Sequence, residues 1–560
     1  MRLRALALLL PALLVASACD DNLGLTPEST GVLGVIEHDR DFTQLHALLE
    51  GSALADVLAG AGPYTVFAPT DNAFYYLGGE TNEALLSPQN QATLDRILRY
   101  HVVPGHYAPS DLTDGLVLET LDGVALSVRR EGQAVFVGEA RVLDGIEEVS
   151  NGVVYPVSTL LRSNLDLRER LLVTPIVRDY VNLLDATELL PDLGGTEPFT
   201  VLAPVDDAFA QLGAPGVSLL YSSTNRDVAT SLARAHVVTG LVDLAGLPSG
   251  TTLETGTGAP VVVTNENGVL YVSGRRVLSP AIPTTNGVLY LLDRLLLTAI
   301  NVDANLRVSP SLSSFTEEAR SIPDLRARLQ GDEEHTVFAF TNTTYSTTQL
   351  AVRNALHFDE NAALHARLMR THVVAGRYAL ADLEDGQVLE SLEGTPLHVT
   401  RQNGVVRINQ QPIQMEQAAA NGVIHHLGGL LYPESDVFDW AILSGFVDYS
   451  QAIRRAGLED VLRSTDPITA FGFPDAVFDS IPDLIFRPEL AEIFRFHLTN
   501  EKIPGLIDGL AFTTLNGAER LMTYVVDPKG EDYWMLDSLH VIGYTRKATN
   551  GHLFFIAYTE

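Results

Sequence analysis

Three short patterns recur in the same order four times along the chain, and no other feature limits its fold as strongly. Thr65-Val-Phe-Ala-Pro-Thr-Asp-Asn-Ala-Phe74 returns as Thr200-Val-Leu-Ala-Pro-Val-Asp-Asp-Ala-Phe209. It returns again, altered, as Thr336-Val-Phe-Ala-Phe-Thr-Asn-Thr-Thr-Tyr345 and Thr469-Ala-Phe-Gly-Phe-Pro-Asp-Ala-Val-Phe478. A histidine follows each copy, in Tyr100-His101, Ala235-His236, Thr371-His372 and Phe496-His497. An Asn-Gly pair then opens the last apolar segment: Asn151-Gly152, Asn286-Gly287, Asn421-Gly422 and Asn550-Gly551. The first pattern recurs at separations of 135, 136 and 133 residues, too long for a solenoid unit of about 20–50 residues. Each copy is long enough to bury a core, so each reads as a domain.

Within the first copy, Phe42, Leu45, Leu48 and Leu49, then Leu54, Val57 and Leu58, fall at helical spacing. Thr65 to Ala68 is a short apolar strand ended by Pro69. Thr70 and Asp71 carry side-chain oxygens suited to capping the helix that follows, with Phe74 turned inward. A helix over Leu94, Ile97 and Leu98 leads to His101, and a hairpin turns at Glu131-Gly132, with Asn267-Gly268 and Asn403-Gly404 as later equivalents. A last apolar strand follows each Asn-Gly. Helices lead and strands close, which predicts an α+β unit with a mostly antiparallel sheet.

These residues resemble the fasciclin (FAS1) family. The segment from Thr65 to Phe74, with Thr70, Asp71 and Phe74, is similar to its first motif, and Tyr100-His101 to its central landmark. Asn151-Gly152-Val-Val is similar to the opening of its second motif. The matching positions in later copies are Asp206, Phe209, His236, Asn286 and Gly287; His372, Asn421 and Gly422; and Asp475, Phe478, His497, Asn550 and Gly551. The resemblance implies four tandem wedge-shaped β-sandwich units with flanking helices, over residues 31–163, 164–299, 300–434 and 435–560, the last divergent. It also implies an association with adhesion to cells and matrix.

The N-terminus carries a second message. Arg2 and Arg4 precede a run of apolar or small residues from Ala5 to Ala18, too short to span a bilayer and suited to a signal peptide over residues 1–18. The run ends Val-Ala-Ser-Ala-Cys19, similar to a bacterial lipobox, and Cys19 is the single cysteine of the chain. Residues 19–30 then read as a tether from a lipidated Cys19. The expected location is the bacterial cell envelope, on the periplasmic face or the cell surface.

Composition narrows the function. The 560 residues include 37 basic and 70 acidic side chains, net −33, which opposes nucleic-acid binding. Asp71 with His101 offers an acid–base pair on paper, but four equivalent histidines among apolar neighbours suit packing better than four active sites. Asp206-Asp207 and Asp332-Glu-Glu-His335 lack metal-loop spacing, and His425-His426 on a strand point to opposite faces. No cofactor or metal is expected. The sequence reads as a non-catalytic, lipid-anchored adhesion or interaction protein for a protein or polysaccharide of the envelope or matrix. The alternative is an envelope scaffold or spacer without a specific ligand. A small-molecule binder or enzyme is the least favoured reading.

Overall fold

Apolar spacing sets the helices that begin each repeat. Leu45, Leu48 and Leu49 share the buried face of helix Thr43–Glu50, and Leu54 and Leu58 that of Leu54–Leu58. The structure, a computed structural model, describes residues 31–50, 52–75, 90–162, 165–481, 484–526, 532–544 and 548–558. The leader, Cys19 and the tether lie outside the described residues. Backbone contacts form two compact units. One runs to Asp206 and adds Thr239–Asp243 and Leu278–Leu291; the other holds Asp207–Val238, Leu244–Val277 and the chain from Leu292.

In the first unit, strand Tyr64–Pro69 is the pivot of a four-stranded sheet. It pairs antiparallel with Val102–Pro104 and parallel with Gly152–Val157, which in turn pairs with Glu147–Val149. The parallel pair joins the Thr-Val-Phe-Ala-Pro segment to the Asn-Gly strand in register, Thr65 opposite Val153 and Phe67 opposite Tyr155. Both strands are buried almost throughout, as expected for a parallel pair covered on two faces. A second sheet runs Val117–Glu119, Ala125–Glu131, Ala134–Val137 and Ala140–Arg141. Leu126 and Val128 alternate inward along its second strand.

In the second unit the same plan closes into two seven-stranded sheets. The third repeat orders its strands Val373–Ala375, His335–Phe340, Gly422–Leu427, Gln411–Ala419, Val405–Ile408, Pro396–Gln402 and Val388–Glu390. The fourth repeats that order from Leu498–Thr499 and Ile468–Gly472 round to Leu510–Thr513. Its divergent sequence therefore keeps the topology. Asn267 and Gly268, like Asn403 and Gly404, both have positive φ, the conformation a tight two-residue hairpin needs.

The cores do not respect the repeat boundary. One apolar cluster joins Val352, Leu356, Leu364 and Leu368 of the third repeat to Phe438, Tyr449, Phe471, Phe494 and Phe554 of the fourth. Phe554 and Phe555, at the aromatic end of the chain, belong to this core, with Phe555 stacked on Phe446 at 3.4 Å.

Candidate functional site

Each closing strand begins at its Asn-Gly pair, and the asparagine amide is fully used. Asn151 Oδ1 accepts the Val32 N–H at 2.7 Å, while its Nδ2 donates to the carbonyls of Leu58 and Gly60 at 2.9 and 2.7 Å. Asn286 does the same with Leu167, Leu193 and Gly195. Asn421 does so with Val302, Leu329 and Gly331, and Asn550 with Val437, Leu462 and Ser464. One amide thus ties the first helix of a repeat to the segment that enters its first strand. The neighbouring glycine is sterically obligatory. A Cβ on Gly152, Gly422 or Gly551 would lie 1.9, 1.9 or 1.6 Å from a backbone oxygen of the parallel strand, and one on Gly287 would lie 2.4 Å from the Phe199 oxygen.

The recurring histidine sits where a helix hands over to a strand. His101 Nδ1 donates to the Ile97 carbonyl at 2.7 Å, and Nε2 accepts the Leu161 N–H at 2.9 Å. His236 makes the same pair of bonds with Leu232 and Leu296, and His372 with Leu368 and Leu431. Since Nε2 faces an N–H, the proton resides on Nδ1 and the ring is neutral. His497 keeps the Nδ1 bond, to Ile493. Burial pushes all four imidazoles down to about 4.

A threonine also recurs in all four copies. Thr65 Oγ1 donates to the Gly105 carbonyl and accepts from the Tyr107 N–H, and Thr200, Thr336 and Thr469 repeat the bridge. Phe74, Phe209 and Phe478 are buried, as is Tyr100, whose hydroxyl reaches the Ala125 carbonyl.

The motif carboxylate corrects an expectation. Asp71 does not cap the helix it begins: its Oδ1 accepts the Gln44 N–H at 2.8 Å, in the first turn of Thr43–Glu50. Asp206 serves Asp179, Asn342 serves Ser314 and Asp475 serves Asp448 in the same way, 27 or 28 residues upstream. The helix at Asp71–Tyr75 is little more than one turn, whereas the longer packed helix presents free N–H groups to the carboxylate across space. Thr70 Oγ1 is buried without a partner.

The fasciclin domain model matches residues 40–163, 176–298 and 310–433. The chain belongs to the fasciclin family. It is 22% identical to periostin of Homo sapiens over 504 residues, covering 86% of this chain and 57% of periostin. It is 24% identical to transforming growth factor-beta-induced protein ig-h3 of Sus scrofa over 477 residues, covering 79% of this chain and 65% of that protein. The chain therefore spans less than two thirds of the length of either relative. Protein sll1483 of Synechocystis sp. is 35% identical over 136 residues, 24% of this chain and 75% of that protein. A solved FAS1 domain pair from the insect cell adhesion molecule Fasciclin I aligns with 45% of this chain and 95% of its own at 17% identity, with a TM-score of 0.25.

Successive fasciclin repeats are clasped by a device the sequence does not announce. Asn90, Asn225 and Asn361 each stand eleven residues before the motif histidine and are buried. Each Oδ1 accepts from an arginine of the following repeat: Arg168, Arg307 at 2.8 Å, and Arg454 at 2.7 Å. The asparagines occupy one repeat position and the arginines three different ones, so no shared motif marks the pair.

The third fasciclin repeat also holds a cluster that no sequence pattern marked. Glu318, on helix Ser313–Ser321, meets His365 Nε2 at 2.8 Å and His357 Nε2 at 3.2 Å, and Tyr345 donates its hydroxyl to the same carboxylate. Burial pushes the Glu318 carboxyl up, but His365, Tyr345 and His357 outweigh it and hold the group below the ordinary carboxylate range. By contrast His425 and His426 are both buried in their strand. Asn342, which begins an Asn-Thr-Thr sequon, has its amide committed to Ser314, Pro310 and Ser313. Among the described residues, no helix is long and apolar enough to cross a membrane.

Proposed function

We propose that the chain is a non-catalytic adhesion or interaction protein of a bacterial cell envelope, anchored by lipid on Cys19, that binds a protein or polysaccharide of the envelope or matrix. The observation that carries this reading is the commitment of the motif side chains. In the first three repeats the recurring histidine, asparagine and threonine spend their hydrogen-bonding atoms inside the repeat, so they are not free to exchange protons with a substrate. What recurs is therefore a scaffold, and family membership supports a binding use of it. The lone cysteine after a lipobox-like run supports the anchor, since two or more acyl chains hold a protein stably on a membrane.

The spacer reading draws on a different observation, the Arg–Asn clasps, which couple neighbouring repeats through the chain's own side chains. One experiment separates the two. The full chain with Cys19→Ser is expected to appear in the soluble fraction and to bind envelope proteins or polysaccharides saturably. Membrane partition of that variant overturns the anchor. Absence of saturable binding to either class leaves the spacer reading in place.

A further inference from the structure

We propose that Glu318, His357 and His365 of the third repeat form a binding site for a divalent transition-metal ion of the zinc class, the one such cluster among the described residues. The repeats themselves supply the first argument. Counting four residues on from the helix N–H held by the motif Asp or Asn gives Leu48, Leu183, Glu318 and Ala452. Counting seven residues back from the motif histidine gives Leu94, Ala229, His365 and Leu490. In the other three repeats both positions are apolar and buried. The third repeat has placed a carboxylate and an imidazole there together, in a core that its neighbours fill with hydrocarbon. Burying such a pair is unfavourable unless its remaining lone pairs are satisfied.

The protein satisfies them only in part: Glu318 Oε1 meets Tyr345 and His357, while Oε2 is left over. His365 Nε2 and Glu318 Oε2 lie 2.8 Å apart, yet neither makes a hydrogen bond of acceptable geometry. The side chains are 7% and 9% exposed, so the pair itself is shut off from bulk solvent. The three donor atoms lie within 4.8 Å of one another. Ligand bonds of about 2.0–2.2 Å place tetrahedral donors roughly 3.3–3.6 Å apart, so small side-chain adjustments bring all three onto one ion. Two imidazoles with one carboxylate suit zinc and its neighbours, whereas calcium and magnesium favour all-oxygen sets.

The surroundings agree. Tyr345 donates to the Glu318 carboxylate from outside the cluster, the kind of support that orients a metal-bound carboxylate. His357, 56% exposed, connects the buried pair to an open depression of about 540 Å³ lined also by Asp359, Glu360 and Arg454. The His357 side is therefore where, under this proposal, an ion and a water as fourth ligand would enter.

The test uses the full-length, untagged chain, stripped with a chelator and titrated with zinc chloride by calorimetry, with bound metal counted by elemental analysis after dialysis. The expected result is one more zinc per chain in the wild type than in Glu318→Gln or His365→Ala. His357→Ala, at an exposed position that does not threaten folding, is expected to weaken that site at least about tenfold. X-ray absorption should show nitrogen and oxygen neighbours at about 2.0–2.1 Å, and calcium chloride should not compete. Equal zinc stoichiometry and affinity in the wild type and His357→Ala would overturn the proposal and leave a buried ion pair. Preference for calcium would overturn the assigned class.

Discussion

His101 Nε2 accepts the backbone N–H of Leu161 at 2.9 Å, joining a helix end to the exit of the closing strand across sixty residues of chain. Replacing His101 with Ala strands that N–H and the Ile97 carbonyl in a dry core, at a cost of about 1–3 kcal/mol. Hydrogen exchange on the full chain should show faster exchange in Tyr64–Pro69 and Gly152–Val157, with Gly422–Leu427 unaffected. Unchanged protection in the first repeat would contradict the assignment.

The four recurring histidines, together with His426, predict an acid sensitivity. In the folded chain His101, His236, His372, His426 and His497 are lowered to about 4, burial being the first cause in each. The unfolded chain titrates them near 6.5, so between pH 6.5 and 4 it binds more protons than the folded one. Stability is therefore complete above about pH 6.5 and falls as pH drops to 4. Denaturant midpoints measured from pH 7 to 4.5 should fall steadily. Replacing His426, whose Nε2 has no hydrogen-bond partner, with Phe should reduce that slope.

Gly422→Ala should be among the most damaging single substitutions in the third repeat. Its Cβ would fall 1.9 Å from the His335 oxygen and at φ +153°, so the parallel pair must separate. We expect a loss above about 3 kcal/mol, read as a lowered denaturant midpoint for the third repeat. Asn421→Ala, which frees the Val302 N–H and two carbonyls, should be nearly as severe.

Arg307 clasps the junction between the second and third repeats: its side chain is 9% exposed and reaches Asn225, Asp227 and Thr224. Asp227 is 68% exposed, so the ion pair itself contributes only about 0.2–1 kcal/mol. Arg307→Ala should raise hydrogen exchange around Asn225 and Val302 while leaving the sheet of each repeat protected. Global destabilisation instead would show that the clasp belongs to the core.

The fourfold plan was legible because its landmarks recur at fixed spacing: a glycine opening the closing strand, a histidine ending a helix, Asn-Gly in a hairpin. Pairings set by long-range packing were not. Asp71 looks like a local cap, and only folding brings Gln44 to it. The parallel pairing of Thr65 with Val153 leaves no trace in periodicity, since both strands are simply apolar. Glu318 and His365 are unremarkable in sequence, and only the fold brings them together inside a core.

The apolar cluster shared by the third and fourth repeats has a consequence for biosynthesis. Val352, Leu356, Leu364 and Leu368 are covered by residues that follow them in the chain. The 126 residues from 435 to 560 need about 6–25 s to be made at roughly 5–20 residues per second. Until those residues have docked, the third repeat lacks the cover for this hydrocarbon. The last repeat acts, in effect, as a tethered chaperone for the one before it, and a chain ended early would be sticky rather than merely short.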